Sequence, residues 1–309
     1  MTMTLKTPAT NDRIRAFLHG TGYHISSEPV SAGMESQVFR LFDERGEYIM
    51  RLNPSADGFR KDRYAEEHFS GCVPVPHVVE IGAFDGKLSY CITERAEGVT
   101  FQDADKRVMD ALLPAVTETF CAIGVIDISA TTGFGVFDSR TGNAPCRTWQ
   151  EWLERVLALE VYSWAAIRTL PAVDADLLDS AAEEFVRLLP ACPEIRKLLH
   201  GDFGSNNLIV NGERVAAVLD WDCAGYGDPL YEVASAYFWS PWLMCMKKTW
   251  EVWKERFGNA PDFARRIRCY ALRIGLVEIA ENAFTPSGTL YWVQNRCGEI
   301  LRQDREGSF

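Results

Sequence analysis

The stretch His200-Gly-Asp-Phe-Gly-Ser-Asn-Asn207, HGDFGSNN, runs directly into the apolar Leu208-Ile-Val210 and, after a polar turn, into VAAVLDWD at 215–222. A turn by itself needs only the glycines. Here a His, an Asp and two Asn share one turn, and a further acid, Asp220, ends the second apolar run. NLIV and RVAAVLD read as two strands of a hairpin closed by Asn211-Gly-Glu213. Folding that hairpin carries Asp220 back to the turn, so Asp202, Asn207 and Asp220 converge. Oxygen donors in this number suit Mg²⁺, a hard cation that keeps waters and shares phosphate oxygens. Asp202, at the apex, is placed to accept a proton from an attacking hydroxyl. Together these are parts of a phosphoryl-transfer site. The neutral ring of His200 reads as a brace for the turn. Asp228, in GDPLYEVA, reads as the cap of the following helix and a second brace.

Upstream, short β-branched or aromatic runs read as strands: HISSEPVS, SQVFRLF, EYIMRL, HVVEIGAF and LSYCITER, all before residue 96. Between the third and fourth, SADGFRKDRYAEEHFSG reads as a helix stopped by Gly71 and VPVP. From Thr100 the period becomes helical in DALLPAVTETFCAIGVI, RTWQEWLERVLALEVYSWAAI, DADLLDSAAEEFVRLL and PDFARRIRCYALRIGLVEIAENAF. The expected fold is α+β and bilobal. A small antiparallel-sheet lobe with one helix spans 1–94, a hinge with Gly98 as its flexible point spans 95–98, and a larger, mainly helical lobe spans 99–309. The cleft between two such lobes is where small-molecule sites commonly lie.

Composition narrows the partners. A formal charge of −11 argues against nucleic acid and is compatible with a cationic small molecule. Nine cysteines stand singly with no C-x-x-C pair, the pattern of reduced thiols in a cytoplasmic protein. The first residues lack an apolar signal core, and no stretch reaches membrane-spanning length, so no membrane association is expected.

H-G-D-x-x-x-x-N followed by L-D-W and G-D-P resembles the aminoglycoside phosphotransferase branch of protein-kinase-like enzymes. ADGFRKDRYAEEHF, DISATTGFG, GDPLYEVASAYFWSPWLMCM and YALRIGL extend the likeness, in order, from about Ser31 to near the C-terminus and toward the branch acting on hygromycin B. The resemblance implies a monomeric kinase using ATP or GTP with Mg²⁺ to phosphorylate a hydroxyl of a cationic aminoglycoside. It implies Asp202 as the catalytic acid–base group and Asn207 and Asp220 as the metal ligands. It further implies that backbone groups of Glu94 and Ala96 read the adenine edge. Main-chain amides near Glu35, Ser36 and Gln37 would face phosphate under a covering hairpin that carries one glycine, Gly33. Arg51, in YIMRL, takes the place of the phosphate-clamping lysine. Arginine stays cationic and grips with a fork rather than as a point charge. Its acidic partner on the helix is Asp62, with Glu66 one turn later as the alternative. A kinase for another small alcohol of macrolide, choline or homoserine type, or a non-catalytic nucleotide-binding scaffold, would carry part of the same pattern.

On the acceptor side the residues admit two readings each. Trp239 and Trp242 flank Pro241 and either pack in the core or turn an aromatic face to a sugar ring. Glu278 and Glu281, one turn apart, either meet substrate ammonium groups or line an exposed helix face. Asp222 either assists metal or substrate or is a solvated residue after the strand.

Overall fold

The structure, a computed structural model, describes residues 9–26, 36–158 and 161–303. Helix α1 (Asn11–Phe17) comes first, capped by the Thr10 hydroxyl, which accepts the Arg13 N–H at 3.4 Å. Strands β1 (His24–Ile25), β2 (Gln37–Phe42) and β3 (Glu47–Asn53), helix α2 (Asp57–Phe69), and strands β4 (Val78–Ala83) and β5 (Ser89–Glu94) follow. The five strands form one antiparallel sheet in the order β1-β2-β3-β5-β4.

Alternation along β3 decides what covers each face of that sheet. Tyr48, Met50 and Leu52 point one way and are buried with Ile14 and Leu18, residues of α1 and its C-terminal end. Arg51 points the other way, toward α2. The expectation of a single helix on this sheet is therefore corrected. Without α1, Met50 and Leu52 would lie open, forfeiting about 1.5–3 kcal/mol each.

After β5 the chain runs through β6 (Val99–Thr100), α3 (Met109–Gly124), β7 (Gly135–Val136), α4 (Trp149–Glu154), α5 (Trp164–Ile167) and α6 (Ala175–Leu188). Then come β8 (Lys197–Leu199), β9 (Leu208–Asn211), β10 (Arg214–Val218), β11 (Gly225–Gly227), α7 (Leu230–Trp239), α8 (Met244–Phe257), α9 (Phe263–Asn282) and α10 (Gly288–Arg302). β6 pairs with β9, so the connection after Gly98 is tied to the large lobe from Val99 onward rather than swinging freely. The run at 147–167, expected as one helix, is broken. A 3-10 turn at Arg155–Leu157 ends α4, Ala158 is extended, and the Trp164 indole donates to the Val156 carbonyl at 2.8 Å across the reversal.

Helix α9 is the centre of the large lobe, packed by α6, α7 and α10 and buried on nearly every side. Its arginines are consequently all partnered. Arg266 forks onto Asp228 at 2.6–2.9 Å, and Arg268 pairs with Glu184 and reaches the Ile300, Leu301 and Gln303 carbonyls. Arg273 donates to the Tyr231 hydroxyl at 2.7 Å. Asp228 also accepts from the Tyr270 hydroxyl at 2.6 Å and from the Leu230 N–H at 3.1 Å, at the start of α7.

Candidate active site

The turn between β8 and β9 is held from three directions. From within, Asn207 donates its Nδ2 to Asp202 Oδ2 at 2.7 Å and to the Asp202 carbonyl at 2.9 Å. From the side, His200 Nδ1 accepts the Asp202 N–H at 3.3 Å, so Nε2 carries the proton and donates to the Leu219 carbonyl at 2.9 Å. From below, Glu232 of α7 accepts the Gly201 N–H at 2.6 Å and the Phe203 N–H at 3.3 Å. Gly201 adopts φ +87°, and a Cβ there would strike the Cys223 carbonyl, so the turn closes on its neighbour only with glycine.

Glu232 was not singled out in the sequence. The available signal was one acid among LYEVASAYFW, an otherwise apolar or small-residue helix. Burial pushes its carboxyl upward, with His200 and the two N–H groups pulling the other way.

Asp220 ends up beside this turn because Leu219 is pinned to it. The Leu219 N–H donates to the Asn207 carbonyl at 2.8 Å while its carbonyl takes His200 Nε2. The β9–β10 hairpin supplies that return, with a two-residue connection between Asn211 and Arg214. Asp220 itself sits at φ +61° and ψ +71°, a left-handed conformation unusual for a residue with a Cβ. Its carboxylate opens to solvent, yet the protein packed around it raises its pKa, and Asp62 and Asp202 add to that. Arg51 and His200 act oppositely.

The small lobe reaches the same place through α2. Arg51 Nη2 is ion-paired with Asp62 Oδ2, while Asp62 Oδ1 accepts the Trp221 N–H at 3.0 Å. Burial works against the Arg51 charge, but Asp62, with Cys91 and Asp220 beyond, outweighs it and holds the pKa above its ordinary value. Glu66 is engaged elsewhere, by the Val78 N–H at 2.9 Å and by His77.

At the hinge, the Glu94 N–H donates to the His77 carbonyl at 2.9 Å and the Arg95 N–H to the Glu47 carbonyl at 3.0 Å. Among the described residues the Ala96 N–H makes no hydrogen bond, so it is the available donor at that edge. The Ser36 hydroxyl accepts from Asn53 Nδ2 at 3.3 Å, and Gln37 Oε1 accepts the Ala9 N–H at 2.8 Å. Gly33 and Glu35 of the covering hairpin lie outside the described residues.

On the acceptor side, Glu278 lies close enough to Asp202 to feel its charge. Burial, then Glu281, then Asp202 push its carboxyl up to about 7. Burial, with Asp202 adding to it, raises Glu281, against the Tyr162 hydroxyl that it accepts at 3.3 Å. Trp239 lies parallel on Trp292 with centroids 5.2 Å apart, and Trp242 stands edge-on to Trp292 at 4.7 Å, 45% exposed. Trp242 precedes α8 by two residues, and Met246 of α8 packs on Gly204 of the β8–β9 turn. Trp250 and Trp253, in contrast, are core. Asp222 does not join the other acids. Its carboxylate is turned onto α2, with Oδ1 3.8 Å from Lys61 Nζ.

The donor set fits one kind of metal. Both Asn207 Nδ2 bonds go to Asp202, and no described residue donates to Asn207 Oδ1 or to the Asp220 carboxylate. Two free oxygen donors and a phosphate chain make a suitable shell for Mg²⁺. No group of three His, Cys, Asp or Glu among the described residues could hold a metal by itself.

Residues 26–267 match the profile of the phosphotransferase enzyme family. Hygromycin-B 4-O-kinase of Escherichia coli is 40% identical over 280 residues, covering 88% of this chain and 80% of that protein. The crystal structure of aminoglycoside phosphotransferase APH(4)-Ia superposes with a TM-score of 0.86 at 36% identity, covering 95% of this chain and 99% of that one. A thermostable mutant of the same enzyme, in ternary complex with AMP-PNP and hygromycin B, gives a TM-score of 0.85 at 36% identity over 93% and 97% of the two chains.

Proposed function

The chain belongs to the phosphotransferase enzyme family, and from that premise we propose that it transfers the γ-phosphoryl group of ATP to a hydroxyl of an aminoglycoside, hygromycin B being the leading acceptor. The observation that carries this reading is the juxtaposition of Asp202 with Asn207, at 2.7 Å, and with Asp220 across the hairpin. The likeness to an enzyme crystallised with AMP-PNP and hygromycin B supports the choice of nucleotide and acceptor.

The chemistry follows from which atoms are free. Asn207 holds Asp202 Oδ2, leaving Oδ1 to orient the acceptor hydroxyl and take its proton. As the acceptor's hydroxyl oxygen bonds to the γ-phosphorus and its proton passes to Oδ1, the bond to the β–γ bridging oxygen breaks and ADP departs. Asn207 Oδ1 and Asp220 would hold Mg²⁺, which when bound would supply charge neutralisation at the phosphate oxygens. Arg51, steadied by Asp62, offers its guanidinium to phosphate. The Glu94 and Ala96 backbone and Ser36 complete the nucleotide site, GTP being the alternative donor.

Glu278 and Glu281 form an acidic wall for the acceptor's ammonium groups, and the Trp239–Trp242 pair offers a face for a sugar ring. A small alcohol without amines would leave that wall unmatched. In this reading residues 1–94 form the nucleotide lobe, 95–98 the hinge and 99–309 the lobe that holds the acceptor. In this reading one chain is the acting unit. All nine cysteines are unpaired, and no described helix is long and apolar enough to cross a membrane. That pattern supports placing the reaction in the cytoplasm.

The test is to incubate the protein with ATP, Mg²⁺ and a panel of aminoglycosides, macrolides, choline and homoserine. ADP formation dependent on hygromycin B, with a phosphorylated product located by NMR, is the expected result. ADP formation with another alcohol only, or with none, would overturn it.

A further inference from the structure

Asp220 is suspended between the lobes. On its N-terminal side Leu219 is gripped by His200 and Asn207 of the large lobe. On its C-terminal side the 3-10 turn Trp221–Cys223 is gripped by one face of α2, and the spacing of that face is helical. Gly58 lies against Asp222 so closely that a Cβ would come within 3.1 Å of the Asp222 Cγ. Lys61 Nζ donates to the Asp222 carbonyl, and Asp62 takes the Trp221 N–H at 3.0 Å. Two turns further on, the Phe69 and Trp221 rings meet at 5.3 Å. Lys61 is only 7% exposed, and its ammonium lies 5.6 Å over the Phe137 ring. A lysine so enclosed, donating to a main-chain carbonyl 161 residues away, is a costly arrangement to retain without a return.

We infer that Lys61 is a positioning residue for the divalent cation: by holding the Asp222 carbonyl it fixes the left-handed backbone of Asp220 and with it the placement of the metal-binding carboxylate. This rests on the reading of Asp220 as a metal ligand in the proposed function. A left-handed Asp persists only where its surroundings over-determine it. The large lobe touches both flanks, the C-terminal one through the Trp221 indole, which donates to the Val218 carbonyl at 3.2 Å. α2 adds the hold on the Trp221 N–H and the Asp222 carbonyl, so the small lobe helps set the cation site without contributing a ligand.

The sign of the effect separates this from simple electrostatics. Removing a cation near a metal site tightens metal binding by charge alone, whereas removing a positioning group loosens it. The experiment measures Mn²⁺ binding in the presence of AMP-PNP from the EPR signal of free Mn²⁺, with no turnover involved. Lys61→Met is expected to weaken Mn²⁺ about tenfold, the range seen when groups supporting metal ligands are removed. AMP-PNP binding in EDTA should be unchanged. Asp222→Ala, which keeps the carbonyl that Lys61 holds, should stay within about twofold of the parent. Gly58→Ala, which presses on the same turn without deleting a buried donor, should weaken Mn²⁺ in the same direction and guards against a misfolded Lys61→Met. Unchanged or tighter Mn²⁺ in both Lys61→Met and Gly58→Ala overturns the inference alone. A parent protein whose Mn²⁺ binding is indifferent to AMP-PNP overturns the underlying reading of Asp220, and this inference with it.

Discussion

Glu232 accepts the Gly201 N–H at 2.6 Å from a position only 2% exposed, which makes the β8–β9 turn a rider on α7 rather than a free loop. Its second oxygen takes the Phe203 N–H, so one carboxylate satisfies two donors that flank Asp202. Glu232→Ala leaves both without a partner, at about 1–3 kcal/mol each, and lets the apex drift. Glu232→Gln keeps one acceptor but turns an NH₂ toward the other N–H. Chemical denaturation should show both variants less stable, the alanine more so. Steady-state kinetics should show kcat falling in Glu232→Gln while nucleotide KM stays close to the parent's.

The Asp202 carboxylate accepts a hydrogen bond only from Asn207 among the described residues, while its N–H and carbonyl bonds, to His200 Nδ1 and from Asn207 Nδ2, are main-chain and survive substitution. Asp202→Ala should therefore melt close to the parent temperature. Loss of the proton acceptor should lower kcat by about 10²–10⁴-fold. Coupled detection of ADP release with hygromycin B checks this. An Asp202→Ala variant retaining full turnover would remove Asp202 from the mechanism.

Arg51 and Asp62 behave as a unit with Trp221, because Asp62 serves both the guanidinium and the Trp221 N–H. Arg51→Met strands a carboxylate that is 6% exposed, a change of the kind that costs about 3–5 kcal/mol when a buried pair is broken. Arg51→Lys keeps the charge but loses the fork, and should raise the ATP KM with a smaller loss of stability. Calorimetric melting and ATP titration of the two variants separate the structural from the phosphate-gripping part.

The turn and hairpin were legible because their chemistry is local. HGDFGSNN places the proposed base and a proposed ligand within six residues, and a two-residue connection returns Asp220. Arg51 was legible as a charge in an apolar strand, and α2 offered both Asp62 and Glu66. The Arg51–Asp62 ion pair divides the two, with Glu66 taken by His77 and the Val78 N–H. Glu232 and Lys61 escaped notice for a shared reason. Each serves backbone groups, and a backbone partner leaves no complementary residue in the sequence. Trp292 escaped because the stack with Trp239 joins helices α7 and α10, which no periodicity relates. Helix α1 is short and polar on most sides, so its one deeply buried residue, Ile14, gave little pattern to read.

The pH dependence of acceptor binding should follow Glu278. Burial, Glu281 and Asp202 set its carboxyl at about 7 in the folded protein, above the ordinary 4.5. A neutral carboxyl attracts no ammonium, so the KM for a polycationic acceptor should rise as pH falls from 8 to 6. Glu278→Gln should start from a high KM and show a flatter profile. The same shift has a stability consequence of defined sign. The folded protein retains a proton that the unfolded chain releases, so this group's stabilisation is complete below about pH 4.5 and is lost as pH rises through about 7. Glu278→Gln should therefore gain stability relative to the parent at pH 8 and lose that advantage near pH 4.5. Raising ionic strength at pH 8 should increase the parent's acceptor KM more than the variant's, because the carboxylate wall acts through screened charge. Parallel KM and melting measurements across this range decide it. Identical pH profiles for the two proteins would remove Glu278 from the acceptor site.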